Sequence, residues 1–250
     1  MQATSAYGPL CTLFYDADKP RAGDDELTFY LDHLPDDSGP ALEAMCGSGR
    51  LLVPLAAAGR NMHGVDASPS MLASCEARLG DAGLRATLFR QNVADLNLPF
   101  RYGAAIIAAG SFQLLTDPSA ARAALERIRV HLVPPARLLL DLFVPPEGAQ
   151  RLGAPLVEVR SAQLPDGTRI ALRSETTMFA EARLARTASR YVRRRGSEHL
   201  GEENEATAFT WYSPDEIIAL VKEAGFRDVE VGPPARAADD VTGYSVVANG

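Results

Sequence analysis

The chain lacks the features of a membrane, secreted or nucleic-acid-binding protein. No stretch of the 250-residue sequence approaches about 18 uncharged apolar residues, the length that crosses a bilayer, and the N-terminus lacks a basic region followed by an apolar run. Basic charge is also scarce: the net charge is −7, whereas nucleic-acid binders usually present a basic surface. We therefore expect a cytoplasmic protein whose partners include neither nucleic acid nor a membrane.

Cysteine is scarce too, with only Cys11, Cys46 and Cys75 in the chain. Three cysteines at such wide spacing predict neither a disulfide framework nor a zinc site. Hydrophobic residues make up 46% of the chain and charged residues 23%, which is ordinary for a globular protein with a full core. We expect one domain over residues 1–250 that requires no metal.

The most informative segment runs from Ala41 to Asp66. A short apolar strand ends at the turn Gly47-Ser48-Gly49, whose glycines let the backbone bend sharply and approach a ligand closely. Apolar residues at helical spacing then predict a helix over residues 50–58. A second strand delivers Asp66 to its carboxyl end, where a carboxylate is well placed to accept both hydroxyls of a ribose. The segment has the pattern of a nucleotide-binding βαβ unit.

Two residues of this unit indicate which nucleotide it binds. The dinucleotide fingerprint needs a third glycine, but Leu52 stands in that position, which disfavours a nicotinamide or flavin cofactor. Glu43, an acid inside the first strand, suits a ligand with an ammonium group. S-adenosylmethionine combines an ammonium, a sulfonium and a ribose. A nucleoside-binding protein without catalysis is one alternative, and a nicotinamide-dependent oxidoreductase is a less favoured one.

The motifs of this unit resemble those of the class I S-adenosylmethionine-dependent methyltransferases, and specifically the small-molecule subgroup. The first motif, E-x-x-C-G-S-G-R, occupies residues 43–50, and the second, G-V-D-x-S-P-x-M-L, occupies residues 64–72. Met45 departs from the commonest family pattern, which has a glycine there. The resemblance implies S-adenosyl-L-methionine as the cofactor and methyl transfer to an oxygen or nitrogen of a small-molecule acceptor.

The resemblance also implies the fold, which is an α/β Rossmann-like methyltransferase fold with a mostly parallel seven-stranded sheet flanked by helices. Residues 41–145 would form the cofactor-binding core, residues 213–250 the closing helix and strands, and residues 1–36 an N-terminal lid segment. In residues 156–212, runs of β-prone residues separated by turns predict an antiparallel insertion. Its strands are expected over 156–163, 169–179, 184–194 and 206–212. We expect this insertion near the acceptor site, with a dimerisation sheet as the alternative; a homodimer is left open.

The cofactor is expected at the carboxyl ends of the parallel strands, where open α/β sheets bind their ligands. In the resembled family, a residue after the third strand binds the adenine amino group. That residue is Asn92 by position, with Asp95 as the runner-up. The residues expected around the cofactor are Glu43, Met45, Cys46, Gly47, Ser48, Gly49, Arg50, Asp66, Ala67, Met71, Asn92, Val93, Ala109 and Ser111.

Acceptor chemistry leaves a weaker pattern, because the sulfonium already carries an activated leaving group and the protein mainly aligns the reactants. No catalytic residue is identified, but Tyr15, Gln113 and His199 are candidates, His199 in an expected irregular loop over the active site. Asp141 either reaches the floor of the cleft or is an inward polar residue. The expected acceptor-side residues are Tyr30, Phe112, Trp211 and Tyr212.

Overall fold

The computed structural model describes residues 7–35, 39–146, 148, 154–236 and 242–250. The N-terminal segment expected over residues 1–36 therefore lies partly outside the described residues. The helices are α1 (Pro9–Asp18), α2 (Asp24–His33), α3 (Leu52–Ala57), α4 (Pro69–Asp81), α5 (Pro118–His131) and α6 (Pro214–Glu223). Among these described helices, none is long and apolar enough to span a membrane.

Seven strands form the central sheet: β1 (Ala41–Ala44), β2 (Met62–Asp66), β3 (Thr87–Arg90), β4 (Tyr102–Ile107), β5 (Leu132–Phe143), β10 (Arg227–Gly232) and β11 (Gly243–Asn249). Their order in the sheet is β10-β11-β5-β4-β1-β2-β3. Strands β1 to β5 pair in parallel, while β11 pairs antiparallel with both β5 and β10. The predicted mostly parallel sheet flanked by helices is confirmed.

Burial explains why the centre of this sheet is so apolar. Every residue of β1 and β4 is buried, because helices cover both faces of a parallel sheet. All carboxyl ends of β1 to β4 lie at one edge, since these strands run in the same direction. The loops that follow them, which carry the motif residues, therefore gather at that edge.

A second sheet contains four antiparallel strands in sequence order: β6 (Leu156–Gln163), β7 (Arg169–Phe179), β8 (Leu184–Arg195) and β9 (Glu198–Thr210). The antiparallel insertion is present, but the expected start of its last strand at residue 206 is wrong. Gly196 has a φ of 58°, which lets the chain reverse tightly between β8 and β9. Polar pairs such as Arg190 with Glu202, 2.6 Å apart, then stabilise an exposed stretch that lacks an apolar pattern.

Helix α1 packs between the second sheet and α4. Its N-cap, Gly8, provides no side-chain cap. Instead, the Glu203 carboxylate on β9 accepts hydrogen bonds from the backbone N–H groups of Leu10 (2.9 Å) and Cys11 (3.1 Å). A carboxylate at this end satisfies orphan donors and complements the helix dipole. The second sheet therefore fixes the start of α1.

Helix α2 is attached to the nucleotide-binding turn by a buried ion pair. The Arg50 guanidinium, directly after the turn, donates to both carboxylate oxygens of Glu26 on α2, at 2.7 and 2.5 Å. The Arg50 and Glu26 side chains are 8% and 1% exposed. Such a pair holds its geometry because each charge left alone in that environment would be strongly unfavourable.

Replacing Glu26 should therefore be strongly destabilising. In the Glu26→Gln variant, Arg50 loses its buried counter-charge, and we expect the free energy of unfolding to fall by about 3 kcal/mol. Urea unfolding followed by circular dichroism measures this change. The matched control is Glu126→Gln, which removes the carboxylate from the solvent-exposed pair with Arg122 and should leave stability unchanged. Equal effects of the two substitutions would contradict the role assigned to the buried pair.

Candidate active site

A cavity of about 460 Å³ lies at the carboxyl ends of β1 to β4. Ser48 and Gly49, which were expected at the cofactor, do not line it: both are buried in the turn. Tyr7, ahead of α1, and Gln91 line the cavity but were not predicted. The expected residues that line it are Glu43, Met45, Cys46, Gly47, Arg50, Asp66, Ala67, Met71, Asn92, Val93, Ala109 and Ser111.

The turn after β1 depends on left-handed backbone conformations. Gly47 and Gly49 have φ values of 55° and 77°, and a Cβ at Gly49 would lie 2.6 Å from the sulfur of Cys75. Met45, where the resembled family usually has glycine, also adopts a left-handed conformation with φ of 61°. This conformation costs a residue with a side chain about 1 kcal/mol or more. Met45 therefore preserves the backbone geometry of the glycine that it replaces.

The Asp66 carboxylate is fixed by backbone donors from both sides. Its Oδ2 accepts a hydrogen bond from Gly47 N at 2.9 Å, and its Oδ1 accepts one from Ser68 N at 2.8 Å. Burial raises the pKa of Asp66, while these backbone N–H groups oppose that shift. Each oxygen retains further acceptor capacity. The carboxylate is therefore positioned to receive a pair of ligand hydroxyls, such as those of a ribose.

Glu43 is an unsatisfied buried acid at the opposite side of the turn. It is 4% exposed, and its Oε2 has no hydrogen-bond partner among the described residues. Burial raises the pKa of Glu43 well above its usual range. An unpaired carboxylate oxygen at this depth is unfavourable unless a ligand supplies a donor. The ammonium group of S-adenosylmethionine supplies such donors, so Glu43 and Asp66 together fit that cofactor.

Asn92 caps the short 3-10 turn Val93–Asp95. Its Oδ1 accepts a hydrogen bond from Ala94 N at 3.0 Å, so this oxygen is already engaged. Asp95, the runner-up for adenine recognition, is exposed and does not line the cavity. Adenine recognition by Asn92 stays a prediction, with only the remaining acceptor capacity of its amide oxygen available for it.

A second cavity of about 350 Å³ adjoins the first. Tyr15 and Arg50 line both cavities. Its apolar wall contains the rings of Phe143 on β5 and Phe209 on β9, whose centroids are 5.1 Å apart. The insertion therefore contributes β9 to this wall. Asp141 on β5 also lines the cavity, so of its two predicted positions it occupies the one in the cleft.

Comparison with known proteins gives one family match. Residues 41–135 match the family model described as a methyltransferase domain. No curated protein matches the chain, so the other similarities are to solved structures.

Solved methyltransferases extend the similarity over most of the chain. An S-adenosylmethionine-dependent methyltransferase from Clostridium acetobutylicum ATCC 824 has a TM-score of 0.76 at 15% identity, over 94% of this chain and 95% of that one. CalS10, an amino pentose methyltransferase from Micromonospora echinaspora solved with bound SAM, has a TM-score of 0.70 at 21% identity, over 100% of both chains. The glycopeptide N-methyltransferase MtfA, solved with S-adenosyl-L-methionine, has a TM-score of 0.61 at 25% identity, covering 92% of this chain and 94% of that one.

The predicted fold is therefore confirmed, and the match over residues 41–135 supports the predicted enzyme, a methyltransferase with S-adenosylmethionine as its cofactor. The nicotinamide-dependent oxidoreductase and the non-catalytic binding protein gain no support from these comparisons.

Most of the acceptor-side candidates do not line either cavity. Tyr15 is the exception, since it lies at the junction of the two. Tyr30 is fully buried in the core, and His199 lies on β9 in an exposed pair with Glu202, at 3.8 Å. The expectation of an irregular loop at His199 is wrong, because the tight turn before it continues the hairpin.

The segment after β4 points its larger side chains inward. Residues Ser111–Leu114 form a 3-10 turn, which buries Phe112 against Tyr212, with their ring centroids 5.9 Å apart. Trp211 is 5% exposed and does not line a cavity. Gln113 is a structural residue: its amide group donates to the carbonyl oxygens of Phe143 (2.8 Å) and Thr210 (2.9 Å), and accepts from Phe143 N (2.9 Å). These residues hold the cleft together without facing it.

Replacing Asp66 should weaken cofactor binding. In Asp66→Asn, the ribose hydroxyls lose their charged acceptor, and we expect the affinity for S-adenosylhomocysteine to fall by about 100-fold. Isothermal titration of the purified protein measures this loss. Asp95→Asn serves as the control because Asp95 lies outside the cavity. The affinity of this variant for S-adenosylhomocysteine should equal that of the parent protein. Undiminished binding by Asp66→Asn would refute the assigned position of the ribose.

Proposed function

We propose that this methyltransferase transfers a methyl group to a nitrogen, or else an oxygen, of a small molecule bound in the second cavity. The observation that carries the proposal is that the two cavities are neighbours which share lining residues, among them Tyr15 and Arg50. An acceptor in the second cavity would lie directly beside a cofactor in the first. In-line displacement requires this adjacency.

Nitrogen is favoured by the similar solved structures. CalS10 is an amino pentose methyltransferase, and MtfA is a glycopeptide N-methyltransferase. A volume of about 350 Å³ also lies in the range of small-molecule sites. An amine on a compound of about the size of a monosaccharide is therefore the acceptor that we propose first.

Each residue has a distinct part in this reaction. When bound, S-adenosylmethionine supplies an electrophilic methyl group on a sulfonium. Glu43 would hold the ammonium of the cofactor and Asp66 its ribose. The chemistry supplied would be an N–C bond to the acceptor in exchange for the C–S bond of the cofactor. Asp141 would accept the proton that the amine must lose and then release it to solvent.

Asp141 has the protonation behaviour that this part requires. Burial raises its pKa to about 6, and Glu26 contributes in the same direction. The Ala235 N–H donates to it at 3.3 Å, and Arg236 and Arg50 attract its charge; all three lower the pKa. Above pH 6 the Asp141 side chain is mostly ionised and can accept a proton. A general base is most effective when its pKa lies close to the working pH, and a pKa of about 6 is close to neutral pH.

The pH profile of methyl transfer tests Asp141. The kcat/KM of the parent protein should rise with pH through an apparent pKa of about 6, because only the ionised carboxylate accepts a proton. In Asp141→Asn this acidic limb should disappear, and kcat/KM at neutral pH should fall by about 100-fold. Initial rates of S-adenosylhomocysteine release with amino-sugar acceptors give the profile. An unaltered profile in a variant that still binds cofactor would remove Asp141 from the mechanism.

Gly110 tests whether the second cavity receives the acceptor. It adopts a φ of 72°, and a Cβ there would collide with the Phe143 ring. Gly110→Ala should therefore displace the cavity wall and lower acceptor turnover by about 100-fold, with little loss of cofactor affinity. Gly59→Ala is the matched control, because Gly59 has a similar φ of 84° with nothing within 4 Å. Full turnover by a folded Gly110→Ala variant would exclude this cavity as the acceptor site.

A further inference from the structure

The second cavity has an excess of positive charge. The Arg50 and Glu26 charges neutralise each other in the buried pair. Among the residues that the structure describes, the other formally charged groups that line the cavity are Asp141, Lys19 and Arg236. One negative charge therefore faces two positive ones, in a protein whose overall charge is −7.

The two positive groups repel each other, and their acidic neighbours, Glu158 and Glu26 for Lys19 and Asp141 for Arg236, act on them only from beyond ion-pair distance. Desolvation lowers the pKa of Lys19, and repulsion from Arg236 and Arg50 lowers it further. Its ammonium lies 5.6 Å from the centroid of the Tyr15 ring, at the junction of the two cavities. Among the described residues, no carboxylate lies within ion-pair distance of Lys19 or Arg236. Two such cations converging on a cavity form an anion-binding arrangement.

The second cavity has an exposed end and a buried end. Lys19 and Arg236 are exposed, so they lie at its mouth, whereas Asp141 is half-buried beside the fully buried part of β5. The apolar rings of Phe143 and Phe209 form a wall of the same cavity. A complementary ligand carries an anionic group at the mouth, a compact carbon skeleton, and a basic group at depth.

We propose that the acceptor is an amine that also carries an anionic group, a carboxylate or a phosphate, which Lys19 and Arg236 bind while the amine approaches Asp141. This inference rests on the proposed function, because it describes the acceptor of the same site. Lys19 and Arg236 are then specificity-determining residues, which select among amines by the second group of the acceptor.

Three related amines provide the test. Glucosamine 6-phosphate carries a phosphate, glucosaminic acid a carboxylate, and glucosamine no anionic group. Each is titrated calorimetrically into the full chain saturated with S-adenosylhomocysteine. We expect at least one anionic compound to bind about tenfold more tightly than glucosamine. Whichever of the two anionic compounds binds more tightly shows whether the site prefers a phosphate or a carboxylate.

Variants assign the preference to the two cations. Lys19→Gln and Arg236→Gln should each reduce the preference for the anionic compound, and the double variant should abolish it. The chain contains one other lysine, Lys222, which is exposed on α6, so Lys222→Gln is the matched control and should retain the preference.

The experiment distinguishes failure of the anionic-acceptor inference from failure of the proposed methyl transfer. Equal binding of the three amines, binding of none of them, or an undiminished preference in the double variant would overturn the inference. Equal binding or an undiminished preference leaves the proposed methyl transfer to an amine intact, whereas binding of none of the three amines also counts against an acceptor of this size. Failure of the protein to bind S-adenosylhomocysteine in the first step would instead count against the assigned cofactor site and the proposed function.

Discussion

The buried pair between Arg50 and Glu26 is the interaction on which the rest of the site depends. Arg50 follows the nucleotide-binding turn directly, and Glu26 belongs to α2, so the pair joins the N-terminal segment to the parallel sheet. Arg50 also lines both cavities, and its charge acts on Tyr15, Glu43 and Asp141. The geometry of the pair therefore sets the electrostatic conditions of the whole site.

Three carboxylates around this pair differ in their partners, and that difference suits them to different ligand groups. Asp66 is held by backbone donors, which fix its direction toward hydroxyls. Glu43 has an oxygen that receives no hydrogen bond from the described part of the chain, and it so complements a cation. Asp141 accepts one long hydrogen bond and has a pKa of about 6, which suits proton exchange. Desolvation is common to all three, and the surrounding donors and charges decide the chemistry of each.

Features of the fold and the site that depend on residues close in sequence could be predicted from the sequence. Features that depend on residues distant in sequence could not. The turn after β1, the position of Asp66 and the parallel sheet depend on short spacings that a single βαβ unit imposes. The inward orientation of Gln113 depends on backbone groups of Phe143 and Thr210, which are distant in sequence. Lys19 and Arg236 meet only because the fold brings opposite ends of the chain together. β9 was predicted too short because its exposed half is stabilised by cross-strand charges and lacks apolar alternation.

The left-handed conformation of Met45 has a consequence for how the cofactor cavity is formed. A glycine at this position would visit many conformations, and ligand binding would have to select one of them. A residue with a side chain has fewer accessible conformations, so neighbouring contacts that hold it at a φ of 61° also define the turn in advance. The strained conformation of Met45 lowers the free energy of unfolding, but it also restricts the turn before the cofactor binds. Binding then removes less conformational entropy.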